Sequence, residues 1–214
     1  MVEGEGDVQA IPALAKRVLK DCFGSQCELR VSLNSIRVGN LANLAGHRVE
    51  TWLRQLQLSI RVRERIAGIV LLLDGDTKWT TDLAGKKIRF CPGIAARLLA
   101  AESRKVGGGD VFSVAIVFAC PEFESWLIAG RAGFAGELKP DVEPPVEVET
   151  IRDAKKWLRL ARHDGYRPTL HQLALANGAS LDGMRTLRSF RRFEKTLKLL
   201  VEAHAHNQRI VTPE

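Results

Sequence analysis

The stretch Ile69 to Asp76, Ile-Val-Leu-Leu-Leu-Asp-Gly-Asp, constrains this chain more than any other. Five apolar residues without alternation suit a strand covered on both faces, the habit of a parallel sheet sandwiched between helices. Carboxylates follow where such a strand would end, and in open α/β sheets the carboxyl ends of the strands face the ligand crevice. Asp74 and Asp76 are thus expected at the mouth of a site, with Gly75 letting the backbone turn between them. Two acids one residue apart repel each other unless a cation lies between them, so the pair reads as a divalent-metal site. Solvated loop carboxylates are the alternative.

A second apolar run, Val111 to Cys120, also ends in acids: Pro121-Glu122-Phe123-Glu124-Ser125-Trp126. Phe123, Trp126 and Leu127 continue it as a helix, which Glu122 could simply cap. A third acidic pair, Glu3 and Asp7, brackets a glycine-rich turn. It precedes a helical pattern at Val8, Ile11, Leu14, Ala15, Val18 and Leu19, for which Asp7 is a suitable N-cap. Only Met1 and Val2 stand before that turn, so either the first strand is a stub or the natural start lies upstream of Met1. Alternation at Cys27, Leu29, Val31 and Leu33 predicts an edge strand over Gln26 to Leu33. Helical spacing runs from Val49 to Val62 and from Pro92 to Ser103, and Thr77 to Phe90 reads as a loop or short ribbon. If the three strands are neighbours, their acids form one carboxylate cluster suited to Mg²⁺ or Mn²⁺. A pair of such ions activates water and stabilises the leaving oxygen in phosphodiester cleavage.

No apolar run approaches the ~20 residues that span a bilayer, and the first residues are acidic where a secretory signal would be basic and then apolar. A cytoplasmic location is expected. Cys22, Cys27, Cys91 and Cys120 lack C-x-x-C spacing and read as buried free thiols, His204 and His206 as surface residues, and Trp52, Trp126 and Trp157 as core. The net charge of +7 is unevenly spread. Twelve Lys and Arg face four acids between Arg152 and Lys198, which leaves +8 there and −1 elsewhere. Such an imbalance fits either a solvated helical face or a nucleic-acid surface, with Lys155, Lys156, Arg188, Arg191 and Arg192 as phosphate contacts. Apart from Trp157, read as core, Tyr166, Phe190 and Phe193 are the aromatics of this segment for base stacking.

Taken together, Val2-Glu3-Gly4, Asp7 and Leu72-Leu73-Asp74-x-Asp76 resemble the Toprim fold of topoisomerases, bacterial primases and overcoming-lysogenization-defect nucleases. With Ile36-Arg37-Val38, Cys91-Pro92, Glu122-Phe123-Glu124-x-Trp126 and Ser189-Phe190-Arg191-Arg192-Phe193 added, the chain resembles the Toprim-like bacterial family called domain of unknown function 4276 over nearly its whole length. The resemblance implies an α/β, Toprim-like, mostly parallel sheet flanked by helices, with a helical C-terminal extension. It divides into a Toprim-like domain (1–136), a linker rich in proline and acids (137–150) and a basic helical extension packed on the same domain (151–214). It further implies a Mg²⁺- or Mn²⁺-dependent nuclease. Glu3, Asp74 and Glu124 would be catalytic, with Glu3 in proton transfer, and Glu3, Asp7, Asp74, Asp76, Glu122 and Glu124 would surround the metal. Relatives of this fold work beside an ATPase in anti-phage systems, so an ATPase partner is implied; the chain has no phosphate loop of its own. Family members run from the aspartates directly into Cys-Pro, whereas fourteen residues, 77 to 90, intervene here. Two other classes remain open: a non-catalytic module that binds nucleic acid or an ATPase, and a haloacid dehalogenase-like phosphatase, whose signature Leu73-Asp74-Gly75-Asp76-Thr77 resembles.

Overall fold

The computed structural model describes residues 1–27, 29–32, 35–44, 49–62, 66–81 and 86–213. In chain order its elements are α1 (Asp7–Phe23), α2 (Leu41–Leu44), α3 (Val49–Val62), β1 (Gly68–Asp74), β2 (Trp79–Thr81), β3 (Lys87–Arg89), α4 (Pro92–Arg104) and β4 (Ser113–Ala119). There follow α5 (Phe123–Ala129), α6 (Ala154–Ala161), α7 (Pro168–Gly178), α8 (Leu181–Arg185), α9 (Arg188–Ala205) and β5 (Val211–Thr212).

The two apolar runs form the centre. β1 and β4 pair in parallel from Gly68 opposite Ser113 to Asp74 opposite Ala119, and β5 pairs in parallel with the start of β4. All seven residues of β4 are buried, because helices cover both faces and leave no side for polar residues. Leu71, Leu73, Ile116 and Phe118 pack under α2, α3 and α4. Leu72, Val117 and Ala119 pack under α1, α5 and the C-terminal helices, which share one core with residues of α1. A cavity of about 1010 Å³ lies towards the opposite, amino-terminal edge of β1, between α1 and α9.

Met1 and Val2 do make a strand stub. The Val38 N–H donates to Val2 O (2.9 Å), the Val2 N–H to Ile36 O (2.9 Å) and the Leu72 N–H to Met1 O (3.1 Å), so Val2 bridges β1 and residues 36–38. The edge predicted over Gln26 to Leu33 is therefore displaced to 36–38. Described residues 27 and 29–32 form no strand, and Glu28 and Leu33 lie outside the described residues. Cys27 and Val31 instead pack against the α1 core, which is burial that alternation alone does not distinguish from a strand. Three further expectations change. Trp157 is half-buried, its indole N–H donating to Glu143 O (3.1 Å), whereas Trp52 and Trp126 are fully buried. The four cysteines are free thiols but only half-buried. His204 is half-buried and lines the cavity, while His206 is exposed. Among the described residues no helix is long and apolar enough to cross a membrane.

Candidate metal centre at the carboxyl edge of the sheet

Strand parity aims the site. Asp74 continues the alternation of Leu72, so its side chain turns towards α5 and the C-terminal helices. Gly75 then brings the two strand ends into close contact: its N–H donates to both Ala119 O and Pro121 O at 2.7 Å. A Cβ there would stand 2.8 Å from Cys120 Sγ and 3.0 Å from Ala119 O, so a side chain would force the ends apart. Asp74 Oδ1 accepts from the Phe123 N–H (2.8 Å), which fixes the carboxylate against the start of α5.

Ligand oxygens of Asp74, Glu122 and Glu124 lie within 4.8 Å of one another and form a group able to hold a metal ion. Glu122 occupies the N-cap position of α5 without capping it. Its Oε1 accepts from the Ala154 N–H (3.0 Å) at the start of α6, and its Oε2 meets Lys155 Nζ at 2.7 Å. Glu124 is completely buried; Oε1 accepts from the Tyr166 hydroxyl (2.9 Å) and Gln172 Nε2 (3.4 Å). Glu124 Oε2 has no hydrogen bond and faces Lys155 Nζ at 3.5 Å.

Glu3 joins from the stub, its Oε2 accepting from the Asp74 N–H (3.1 Å). Asp7 is tied in more remotely. It lies inside the first turn of α1, where Gly6 is the N-cap, and not at the cap itself. Its Oδ2 accepts from the Gly4 N–H (2.8 Å) and its Oδ1 from Gln172 Nε2 (2.9 Å). Asp76 is exposed beyond the turn and is not part of the tight group, although its charge acts on Glu3.

Lys155, expected at a phosphate, has its ammonium among the three carboxylates, 3.5 Å from Asp74 Oδ2. Burial pulls its pKa down, but Glu124, Asp74 and Glu122 more than reverse this and the net direction is upward. Burial raises Asp74 well above the usual carboxylate range, with Lys155 opposing and Glu124 reinforcing. Burial likewise pushes Glu124 up to about 7 against the pull of Lys155. Glu3 is raised mainly by burial, despite the hydrogen bond from the Asp74 N–H. Burial thus favours protons on Asp74 and Glu124, and full ionisation of the three carboxylates would leave the cluster two charges negative even with Lys155 present. A divalent cation with carboxylate oxygens around it fits that deficit and gives Glu124 Oε2, which has no hydrogen bond, a direct ligand contact.

The other predicted phosphate contacts, Lys156, Arg188, Arg191 and Arg192, are exposed. Arg191 also donates to Arg185 O and Thr186 O. Arg192 lies close enough to oppose the burial that pushes the Cys120 thiol up to about 11. Of the twelve bases in the segment, Arg162, Arg185 and Lys198 pair with acids, as Lys155 does. The remaining eight are exposed and make no ion pair among the described residues. Tyr166, Phe190 and Phe193 are buried, so they offer no ring for base stacking. Sequence reading missed Lys155, Tyr166 and Gln172 as parts of the acidic site, because contacts across 33 to 81 residues leave no local pattern.

A family model described as a domain of unknown function, DUF4276, matches residues 2–198 and so takes in every residue of this centre. The chain belongs to the DUF4276 family. No curated protein and no solved structure matches it. In this DUF4276 chain the acids of the centre come from the stub, β1 and the start of α5, and the ammonium that meets them among the described residues comes from α6.

Proposed function

We propose that this DUF4276 chain is a Mg²⁺- or Mn²⁺-dependent nuclease of Toprim-like type that hydrolyses phosphodiester bonds. The observation carrying this reading is Glu124: fully buried, converged with Asp74 and Glu122, and with one oxygen lacking any hydrogen-bond donor. Asp74, Glu122 and Glu124 hold the cation, which when bound supplies Lewis acidity at the phosphate and a more acidic water. Glu3, against the Asp74 backbone, takes the proton as the water oxygen bonds to phosphorus. The bond from phosphorus to the leaving oxygen breaks, and that oxygen regains a proton from solvent. Lys155 Nζ leaves the carboxylates for the non-bridging phosphate oxygens, which is why a long, half-exposed lysine stem suits this position. The eight exposed bases carry the nucleic-acid backbone to this edge. An ATPase partner and an anti-phage setting belong to the same proposal.

Lys155 close to Asp74 favours one second reading, a phosphomonoesterase in which Asp74 is the nucleophile. Incubation of the purified protein with DNA, RNA and a phosphomonoester, in Mg²⁺ or Mn²⁺ and in EDTA, separates the two. The nuclease reading expects metal-dependent cleavage that falls by about 10²-fold or more in Asp74→Ala. Equal cleavage by that variant contradicts it, and an acyl-phosphate trapped on Asp74 establishes the phosphatase instead.

A further inference from the structure

The fourteen residues after Asp76 carry Lys78, Lys86, Lys87 and Arg89 against a single acid, Asp82. They are not a featureless loop. β2 and β3 pair antiparallel, with Trp79 opposite Arg89 and Thr81 opposite Lys87, and all four bases are exposed. Lys87 and Arg89 flank the half-buried Ile88, so the strand period sets both on the same face. The base of this ribbon is anchored. The Phe90 N–H donates to Lys78 O (3.0 Å), and the Phe90 ring meets Phe118 of β4 edge-on at 5.5 Å. The same ring is 3.5 Å from the position a Cβ on Gly75 would take, so the ribbon rises from the turn between Asp74 and Asp76.

We propose that the β2–β3 ribbon is a second nucleic-acid contact, an arm that grips the phosphate backbone on the face of the sheet opposite α6 and α9. Phe90 packs with Leu71, Leu73 and Phe118, whereas Lys155 and Arg192 belong to helices over Leu72, Val117 and Ala119. Bases therefore flank the acidic edge from both faces. A polyanion approaching a net-negative cluster is repelled unless positive charge holds it on either side, and the ribbon supplies the half that α6 and α9 cannot reach. A two-stranded ribbon is only marginally stable alone and is of a size that nucleic-acid grooves admit. The inference rests on the nucleic-acid reading above.

The test is binding of a fluorescent DNA duplex in EDTA, measured by anisotropy against salt concentration. It compares wild type, a ribbon variant (Lys78→Gln, Lys86→Gln, Lys87→Gln, Arg89→Gln) and a control, Arg104→Gln with Lys105→Gln at the far end of α4. The ribbon variant is expected to keep its thermal midpoint while the slope of log affinity against log salt becomes shallower by about three, close to one for each phosphate no longer neutralised. The control keeps the wild-type slope. A ribbon variant with the wild-type slope overturns the arm and leaves the nuclease reading intact. A wild type with no salt-dependent binding overturns both.

Discussion

Glu124 shows how a single residue couples stability to function. Its carboxyl is pushed up to about 7, first by burial, from an ordinary value of 4.5. Between those values the folded protein holds a proton that the unfolded chain has released. The stability this group contributes is thus fully present at acidic pH and is lost as pH rises through 7. The loss is on the order of 3 kcal/mol, each tenfold change in proton affinity being worth about 1.4 kcal/mol. In EDTA, the urea midpoint is expected to fall as pH goes from about 5 to about 8, and Glu124→Gln is expected to flatten that window. Excess Mg²⁺ restores the midpoint of wild type at alkaline pH and leaves the variant unmoved. An unchanged pH slope in Glu124→Gln contradicts the assignment.

Among elements, the segment leading into and along α7 does more than cover α1. Tyr166 and Gln172 both donate to Glu124 Oε1, and Gln172 also reaches Asp7, so one helix fixes two acids brought in by α1 and α5. The fit is tight: a Cβ on Gly6 would come within 2.1 Å of Gln172 Oε1. Tyr166→Phe keeps the ring in the core and removes only the donor. Mn²⁺ affinity is expected to fall about 10- to 100-fold with little change in melting temperature, as for a group that orients a ligand without touching the ion. An unchanged affinity shows that Glu124 keeps its orientation without help. None of this is legible in sequence, where Tyr166 is a solitary aromatic beside basic residues. The positions of Asp74 and Glu124 beyond strand ends were legible, because a short apolar run without alternation that ends in acids suits a strand buried on both faces. The edge was misplaced because the stub offers only one bridging residue for pairing, too few to leave a periodic signal at 36–38.

Over the whole molecule, Asp74, Glu122 and Glu124 converge at the carboxyl edge of the sheet, and α6, α9 and the β2–β3 ribbon carry exposed bases. The amino-terminal edge has a cavity lined mainly by apolar residues and no such cluster among the described residues. The basic segment was visible in sequence as a count, but folding divides it: Lys155 enters the acidic group, three more bases pair with acids and eight remain on the surface. The acidic group is expected to take a divalent ion that one ammonium does not replace, and anomalous diffraction from crystals soaked in Mn²⁺ checks this at the site itself. A peak bounded by Asp74, Glu122 and Glu124, with Lys155 Nζ moved off at least one carboxylate, is the predicted result. Lys155 still bridging all three acids, with no peak between them at saturating Mn²⁺, contradicts it.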